Sequence, residues 1–319
     1  MIVEQSKQIV EEISKAFIGK TEIIEKVLMT IYAGGHVLLE DAPGVGKTTL
    51  ALAFSKVLGL SNKRIQFTTD TLPSDITGFT MFNRQTNEFE YREGAANCQL
   101  LLADEINRTS PKTQSALLEV MEESRVTVDG VSREVPKPFI VMATQNPKGS
   151  AGTQLLPESQ LDRFMTCMSM GYPDVKSEIA IARGRSSSAN MVELQPVIGA
   201  QELEALCGMV EDVYMSESIY TYIVALVGKT RENSYIELGV SPRGTIACVR
   251  MAKAWAFLQG RNYVMPEDVA DIFLDIAKHR IVLNTKARVT HMTEEAILSE
   301  ILSVTKQPAS YMEKSEYRG

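Results

Sequence analysis

The stretch GGHVLLEDAPGVGKTT, residues 34–49, sets how this chain is to be read. Its apolar run at 36–40 has the length and hydrophobicity of a strand buried on both faces. A helical run follows at 49–58. Between them lie Asp41, Ala42, Pro43, Gly44, Val45, Gly46, Lys47 and Thr48. A strand, then a glycine loop, then a helix that opens on Lys-Thr is the context in which a chain cradles phosphate. Glycines let the backbone wrap closely around phosphate oxygens. The helix N-terminus aims free N–H groups and a partial positive charge at the anion. On this reading Lys47 reaches the β- and γ-phosphates and the Thr48 hydroxyl ligates Mg²⁺. One position departs from the GxxxxGK[ST] pattern, because Asp41 stands where the first glycine is expected. The expectation is that this position needs an unusual backbone angle more than a missing side chain, which Asp tolerates better than most residues.

On either side of this stretch, further strand candidates fall at 64–68, 99–104, 139–144 and 166–170. Helical candidates fall at 5–15, 21–33, 48–58 and 111–123. The alternation predicts an α/β fold with a parallel sheet of five strands. Two patches break it. GFTMFNRQTNEFEY at 78–91 reads as a hairpin with a polar tip. RVTVDGVSREV at 125–135 reads as a second hairpin, with Asp129-Gly130 as a type I′ turn signal. Near residue 171 the pattern changes. Tyr172-Pro173 stops the last strand, and 183–190 is polar and serine-rich. Beyond it, 201–215, 218–233, 244–258, 266–279 and 294–304 read as helices with no strand-period run. The expected division is a nucleotide-binding α/β core over 1–172, a linker over 173–190 and an all-α lid domain over 191–319.

The chain has 319 residues, of which 44% are hydrophobic and 23% charged, so wholesale disorder and disulfide scaffolds are excluded. Lys and Arg number 33 against 40 Asp and Glu, leaving −7, which disfavours a generic polyanion partner such as nucleic acid. Cys98, Cys167, Cys207 and Cys248 are scattered without metal-ligand spacing. No apolar run is long enough to span a bilayer, and the first residues lack the apolar stretch of a signal peptide. The expected location is the cytoplasm.

A phosphate loop needs an acid for the metal and a base for water. Leu100-Leu-Leu-Ala-Asp104-Glu105 offers both at a strand end: Asp104 for Mg²⁺ through water, Glu105 to polarise the attacking water. A third strand ends in Thr144-Gln145-Asn146-Pro147, where the Asn146 amide can touch the γ-phosphate. Ser241-Pro242-Arg243 reads as an N-cap, an N1 proline and a first-turn arginine. A cation there opposes the helix dipole and gains from a nearby anion such as a nucleotide phosphate. Arg163, in Leu-Asp-Arg-Phe after a helix started by Pro157, reads either as a locally paired cation or as an arginine finger for a neighbouring subunit.

Together these stretches resemble the AAA+ ATPases, specifically the MoxR family. The resemblance rests on GGHVLLEDAPGVGKT (34–48), LPSDITG (72–78), LLADEINRTSPKTQSALLEVMEE (101–123), ATQNP (143–147), LPESQLDRF (156–164) and SPRG (241–244). It covers nearly the whole chain. It implies Walker A for Lys47 and Thr48 within Pro43–Thr49, and Walker B for Asp104 and Glu105. It further implies sensor 1 for Asn146, the arginine finger for Arg163, sensor 2 for Arg243, and an adenine cradle at Phe17, Ile18 and Gly19. The hairpins resemble the family's helix-2 insert and the hairpin before sensor 1, which usually face the pore of a ring. The implied activity is ATP hydrolysis in a ring, expected to be a hexamer, that remodels client proteins or helps insert metal cofactors. The implied partner is a von Willebrand factor A domain protein. Alternatives are a nucleic-acid motor on the same core or a scaffold that binds ATP without hydrolysing it. Arg108 and His36 carry no assigned role.

Overall fold

A computed structural model describes residues 2–41, 44–146, 156–183 and 193–308 of the chain. The expectations placed on Pro43, on Pro147, on the serine-rich stretch 184–190 and on the last residues of the lid lie outside the described residues.

The centre is a parallel five-stranded sheet. Its strands are β1 (Val37–Glu40), β2 (Asn62–Gln66), β5 (Leu100–Asp104), β8 (Ile140–Gln145) and β9 (Thr166–Met168), in the order β2-β5-β8-β1-β9. The central strands are apolar runs because both faces are covered. In β5, Leu100 and Leu102 join one core cluster while Leu101 and Ala103 join the other. That period of two places a helical layer on each side of the sheet. On one side pack α1 (Ile2–Ala16), α2 (Thr21–Tyr32) and α3 (Lys47–Val57). The other side is covered by the short α4 (Pro73–Thr77), by α5 (Pro111–Glu123) and by buried Phe67 and Phe164, the latter just after α6 (Glu158–Leu161). The first cluster continues through Leu203, Leu226, Met251 and Phe273 of the C-terminal helices, so core and helical region share buried apolar contacts.

Edge strand β2 starts and ends earlier than the apolar residues suggest. Its side chains alternate between exposed and half-buried, and only Ile65 among them is apolar, while buried Phe67 lies just past its end. Strand β9 stops at Met168, because the next residues turn to bond Asp41. The two hairpins form β3 (Phe79–Asn83) with β4 (Glu88–Arg92), and β6 (Arg125–Val128) with β7 (Val131–Glu134). Asp129 and Gly130 have φ of 52° and 78°, the pair of positive angles that a type I′ turn requires.

Two expectations need correction. Within the expected linker, α7 (Val175–Ala182) is a helix, capped by the Asp174 carboxylate accepting from Ser177 N–H at 2.7 Å. The C-terminal region begins with α8 (Ala200–Glu211) and α9 (Glu217–Glu232) and is mainly helical, but it is not all-α. Strands β10 (Ile236–Leu238) and β11 (Val282–Leu283) form an antiparallel ladder there. Both strands are too short to show a period in sequence. Among the described residues no helix is long and apolar enough to cross a membrane.

His36 now has a structural role. Its Nδ1 accepts from Val141 N–H at 3.0 Å, and Nε2 donates to the Met121 carbonyl at 3.1 Å. The neutral ring therefore staples α5 to β8. Burial holds its pKa at about 4, against 6.5 for an ordinary histidine. A depressed folded-state value means that this stability is complete above pH 6.5 and lost as the pH falls toward 4. The loss should approach roughly 3 kcal/mol across that window. Denaturation midpoints at pH 7.5 and 5 should differ in the parent and differ less in His36→Gln; equal slopes would remove His36 as the cause.

Candidate functional site

Three parallel strands end side by side, and their ends build the site. The loop after β1 turns through Gly44 and Gly46, with φ of 87° and 98°. Gly46 caps α3 in the left-handed conformation, so Lys47 and Thr48 open the helix and Thr49 follows in its first turn. A Cβ on Gly46 would lie 3.2 Å from the Phe17 ring, which places Phe17 directly against the loop. Half-buried Ile18 follows it, and half-buried Val45 packs on the core. Gly19 has φ of 92°, and a side chain there would overlap Ser177.

Lys47 is buried, and its ammonium donates to the carbonyls of Asp41 at 2.6 Å and Gln145 at 3.5 Å. Burial lowers its pKa, opposed by the charges of Asp41, Asp104, Glu105 and Glu40. The register pairs Ala103 with Ala143, so the residues that follow in β5 and β8 meet at one rim. Asp104 is buried and paired with Arg64 Nε at 2.7 Å. Thr144 Oγ1 donates to Asp104 at 3.3 Å and accepts from Glu105 N–H at 2.8 Å. Glu105 sits at φ 57°, a left-handed angle uncommon outside glycine. Its carboxylate accepts from Arg108 Nη1 at 2.8 Å, Gln66 Nε2 at 3.0 Å and Asn146 Nδ2 at 2.9 Å. The Arg108 hydrogen bond leads in holding that carboxyl below the usual range. The cavity between these groups is about 360 Å³.

Several features fit a nucleotide with Mg²⁺. Asn146 Oδ1 is buried with no hydrogen-bond partner. The Lys47 ammonium rests on carbonyls that a phosphate oxygen could replace. Thr48 and Asp104 line one cavity as oxygen donors of the kind Mg²⁺ takes.

Arg163 and Arg243 are not at this cavity. Arg163 Nη1 lies 3.2 Å from Glu122 Oε2, and Arg243 pairs with the other oxygen of the same carboxylate. The sequence leads one to expect Arg243 beside the chain's own phosphate site. The first turn of helix α10 (Pro242–Leu258) is instead held at Asp162, which accepts from Ser241 Oγ at 2.8 Å, and its Arg243 reaches Glu122 at the C-terminal end of α5. A second cavity, of about 660 Å³, lies beside Arg163 and Glu122.

Asp41 also needs a new account. It is not among the described residues with positive φ, so backbone strain does not select it. It is buried, and its carboxylate accepts from Ser169 Oγ at 2.7 Å, from Gly171 N–H at 3.0 Å and from Met170 N–H. Lys20 Nζ donates to the carbonyls of Met170 and Gly171 from the other side. The missed site residues Arg64 and Gln66 are two apart in β2, and that spacing in NKRIQ puts them on one face. Arg108, and Asn107 whose Nδ2 donates to the Asn146 carbonyl at 3.2 Å, carry no such signal.

Comparison with known proteins agrees with this architecture. A family profile described as "ATPase family associated with various cellular activities (AAA)" matches residues 36–166, and "AAA lid domain" matches 228–301. Chaperone MoxR1 of Mycobacterium tuberculosis is 34% identical over 93% of this chain and 81% of its own length. YeaC of Bacillus subtilis is 48% identical over 94% of this chain and 93% of its own. A crystal structure from Cytophaga hutchinsonii superposes with a TM-score of 0.88 at 37% identity, covering 97% of this chain and 96% of that one. The chain belongs to the MoxR family of AAA+ ATPases.

Proposed function

We propose that the protein hydrolyses ATP at sites completed between neighbouring copies of a ring, a hexamer, and uses the cycle to remodel client proteins in the cytoplasm. The observation that carries this reading is a separation. Lys47, Thr48, Asp104, Glu105 and Asn146 surround one cavity, while Arg163 and Arg243 converge on a single carboxylate elsewhere. A cavity that holds the acids but neither Arg163 nor Arg243, and two arginines that converge on Glu122, fit each other across two copies.

On this reading Lys47 leaves its carbonyl partners for the β- and γ-phosphates. Phe17, Ile18 and Gly19 flank the base, and the loop 44–49 wraps the phosphates. Thr48 and Asp104 would hold Mg²⁺, which neutralises phosphate charge when bound. Glu105 must exchange Arg108 and Gln66 for water to act as its base. Asn146 keeps Glu105 aimed and offers its free Oδ1 to that water. Arg163 and Arg243 leave Glu122 for the neighbour's γ-phosphate.

The name of the relative MoxR1 supports a chaperone role. The β3–β4 hairpin supports a grip on protein: Phe82 and Phe89 meet edge to face and are 45% and 75% exposed. Maturation or metal-cofactor insertion with a von Willebrand factor A domain partner is the role the family suggests. The acidic balance favours a protein client over nucleic acid.

The test is steady-state ATP hydrolysis across protein concentration, read beside a sizing measurement. Turnover per subunit should rise as rings form. An assembled ring without hydrolysis, or full turnover in the monomer, would sink the reading.

A further inference from the structure

Arg280 is a buried cation that ATP hydrolysis by the groups named so far does not use. It lies in the 3₁₀ turn Lys278–Arg280 that follows α11 (Pro266–Ala277), and its side chain is 2% exposed. Nε donates to Asp162 Oδ1 at 2.8 Å. Nη2 donates to the carbonyls of Asp162 at 3.2 Å and Phe164 at 2.6 Å. Nη1 donates to the carbonyls of Met165 at 3.1 Å and Ile276 at 2.6 Å. A guanidinium has five N–H groups in a fixed plane, and these five acceptors, with His279 Nε2 also 2.8 Å from Nη1, leave none of them free. All five acceptors but Ile276 belong to the segment that carries Arg163.

The other arginine is seated on the same side chain. Gly244 lies one residue past Arg243, and a Cβ there would stand 2.8 Å from Arg280 Cδ. Asp162, which receives Arg280 Nε, also accepts from Ser241 Oγ at 2.8 Å and lies 3.8 Å from Arg243 Nη1. The head of Arg280 thus holds the Arg163 segment, and its stem fills the space beneath the first turn that presents Arg243. An ion pair needed only to latch two layers together could be replaced by apolar packing at little loss. A forked donor addressed to successive carbonyls fixes where a backbone segment lies.

We propose that Arg280 is a positioning residue for hydrolysis: it holds Arg163 and Arg243 as one rigid unit, so that both reach the same γ-phosphate of a neighbouring copy's ATP. The inference rests on the reading that these arginines serve the neighbour's nucleotide. It also makes the helical region and the Arg163 segment move together.

Arg280→Lys keeps a cation opposite Asp162 and loses the fork. In the full-length protein it should leave binding of a fluorescent ATP analogue within about twofold, leave ring size unchanged, and lower kcat about tenfold or more. Subunit mixing separates positioning from general damage. Glu105→Gln subunits cannot cleave ATP but carry intact arginines, so adding them should restore turnover at Arg280→Lys sites, as it should at Arg163→Ala sites. Turnover at the parent rate in Arg280→Lys overturns the proposal. So does restoration of Arg163→Ala without restoration of Arg280→Lys. If neither variant is restored, the neighbour reading fails and the proposal falls with it. Should Arg280→Lys not assemble, Asp162→Asn keeps the shape while removing the charge that Nε meets. Restoration of that variant by Glu105→Gln subunits supports the proposal, and failure to restore it where Arg163→Ala is restored overturns it.

Discussion

Replacing Arg163 by alanine should lower kcat about 1000-fold while ATP binding stays within about twofold of the parent. Arg163 does not line the cavity around Lys47 and Asp104, and it pairs only with Glu122 among the described residues, at 3.2 Å. Its removal therefore leaves the loop, Lys47 and both acids intact. What should be lost, on the proposed reading, is a cation brought to the transferring phosphoryl group as its charge spreads, an interaction made only in the transition state. The loss should fall on kcat with KM almost unchanged. That split is measured by initial rates over ATP concentration. A variant that hydrolyses within about threefold of the parent would show that Arg163 is no more than the partner of Glu122.

Glu105→Gln should be nearly as severe in rate, about 1000-fold, but should retain ATP instead of releasing it. The substitution keeps length and shape, so the left-handed backbone at 105 and the hydrogen bond between Glu105 N–H and Thr144 are preserved. On the proposed reading it removes the one property the chemistry needs from this residue, a carboxylate that can take a proton from water. It also removes the anion that Arg108 and Gln66 hold. Nucleotide entry should therefore be unhindered. Single-turnover quenching should show bound ATP persisting for many parent turnover times, and a pull-down in that state should retain the client. Rapid appearance of ADP would remove Glu105 as the base.

The sheet was legible because its central strands are unbroken apolar runs with a punctuating loop. His36 through Glu40 and Leu100 through Asp104 have the length and composition of strands covered on both faces. The Asp129-Gly130 turn was legible because its backbone angles restrict which residues fit. The ladder of Ile236–Leu238 with Val282–Leu283 was not, since its partners are far apart in sequence and each is too short to show alternation. At the site, residues on the phosphate loop and at strand ends carry a local context that names them. Arg64 and Gln66 gain their meaning only when β2 lies beside β5, which sequence spacing alone does not state. The position of Arg243 depends on Asp162 and Arg280, so three residues from separate stretches must meet before it can be read.

The Asp41 carboxylate bears on protein engineering. Consensus design would exchange it for the glycine common at the first position of such loops and score the change as a repair. Here the exchange would release Ser169, Met170 and Gly171 from the phosphate loop and leave Lys20 facing their carbonyls alone. Those residues lead out of the sheet toward the helical region, so the apparent correction would uncouple the nucleotide loop from the segment that leaves it. A family average is a poor guide wherever one chain has given a loop position a second task.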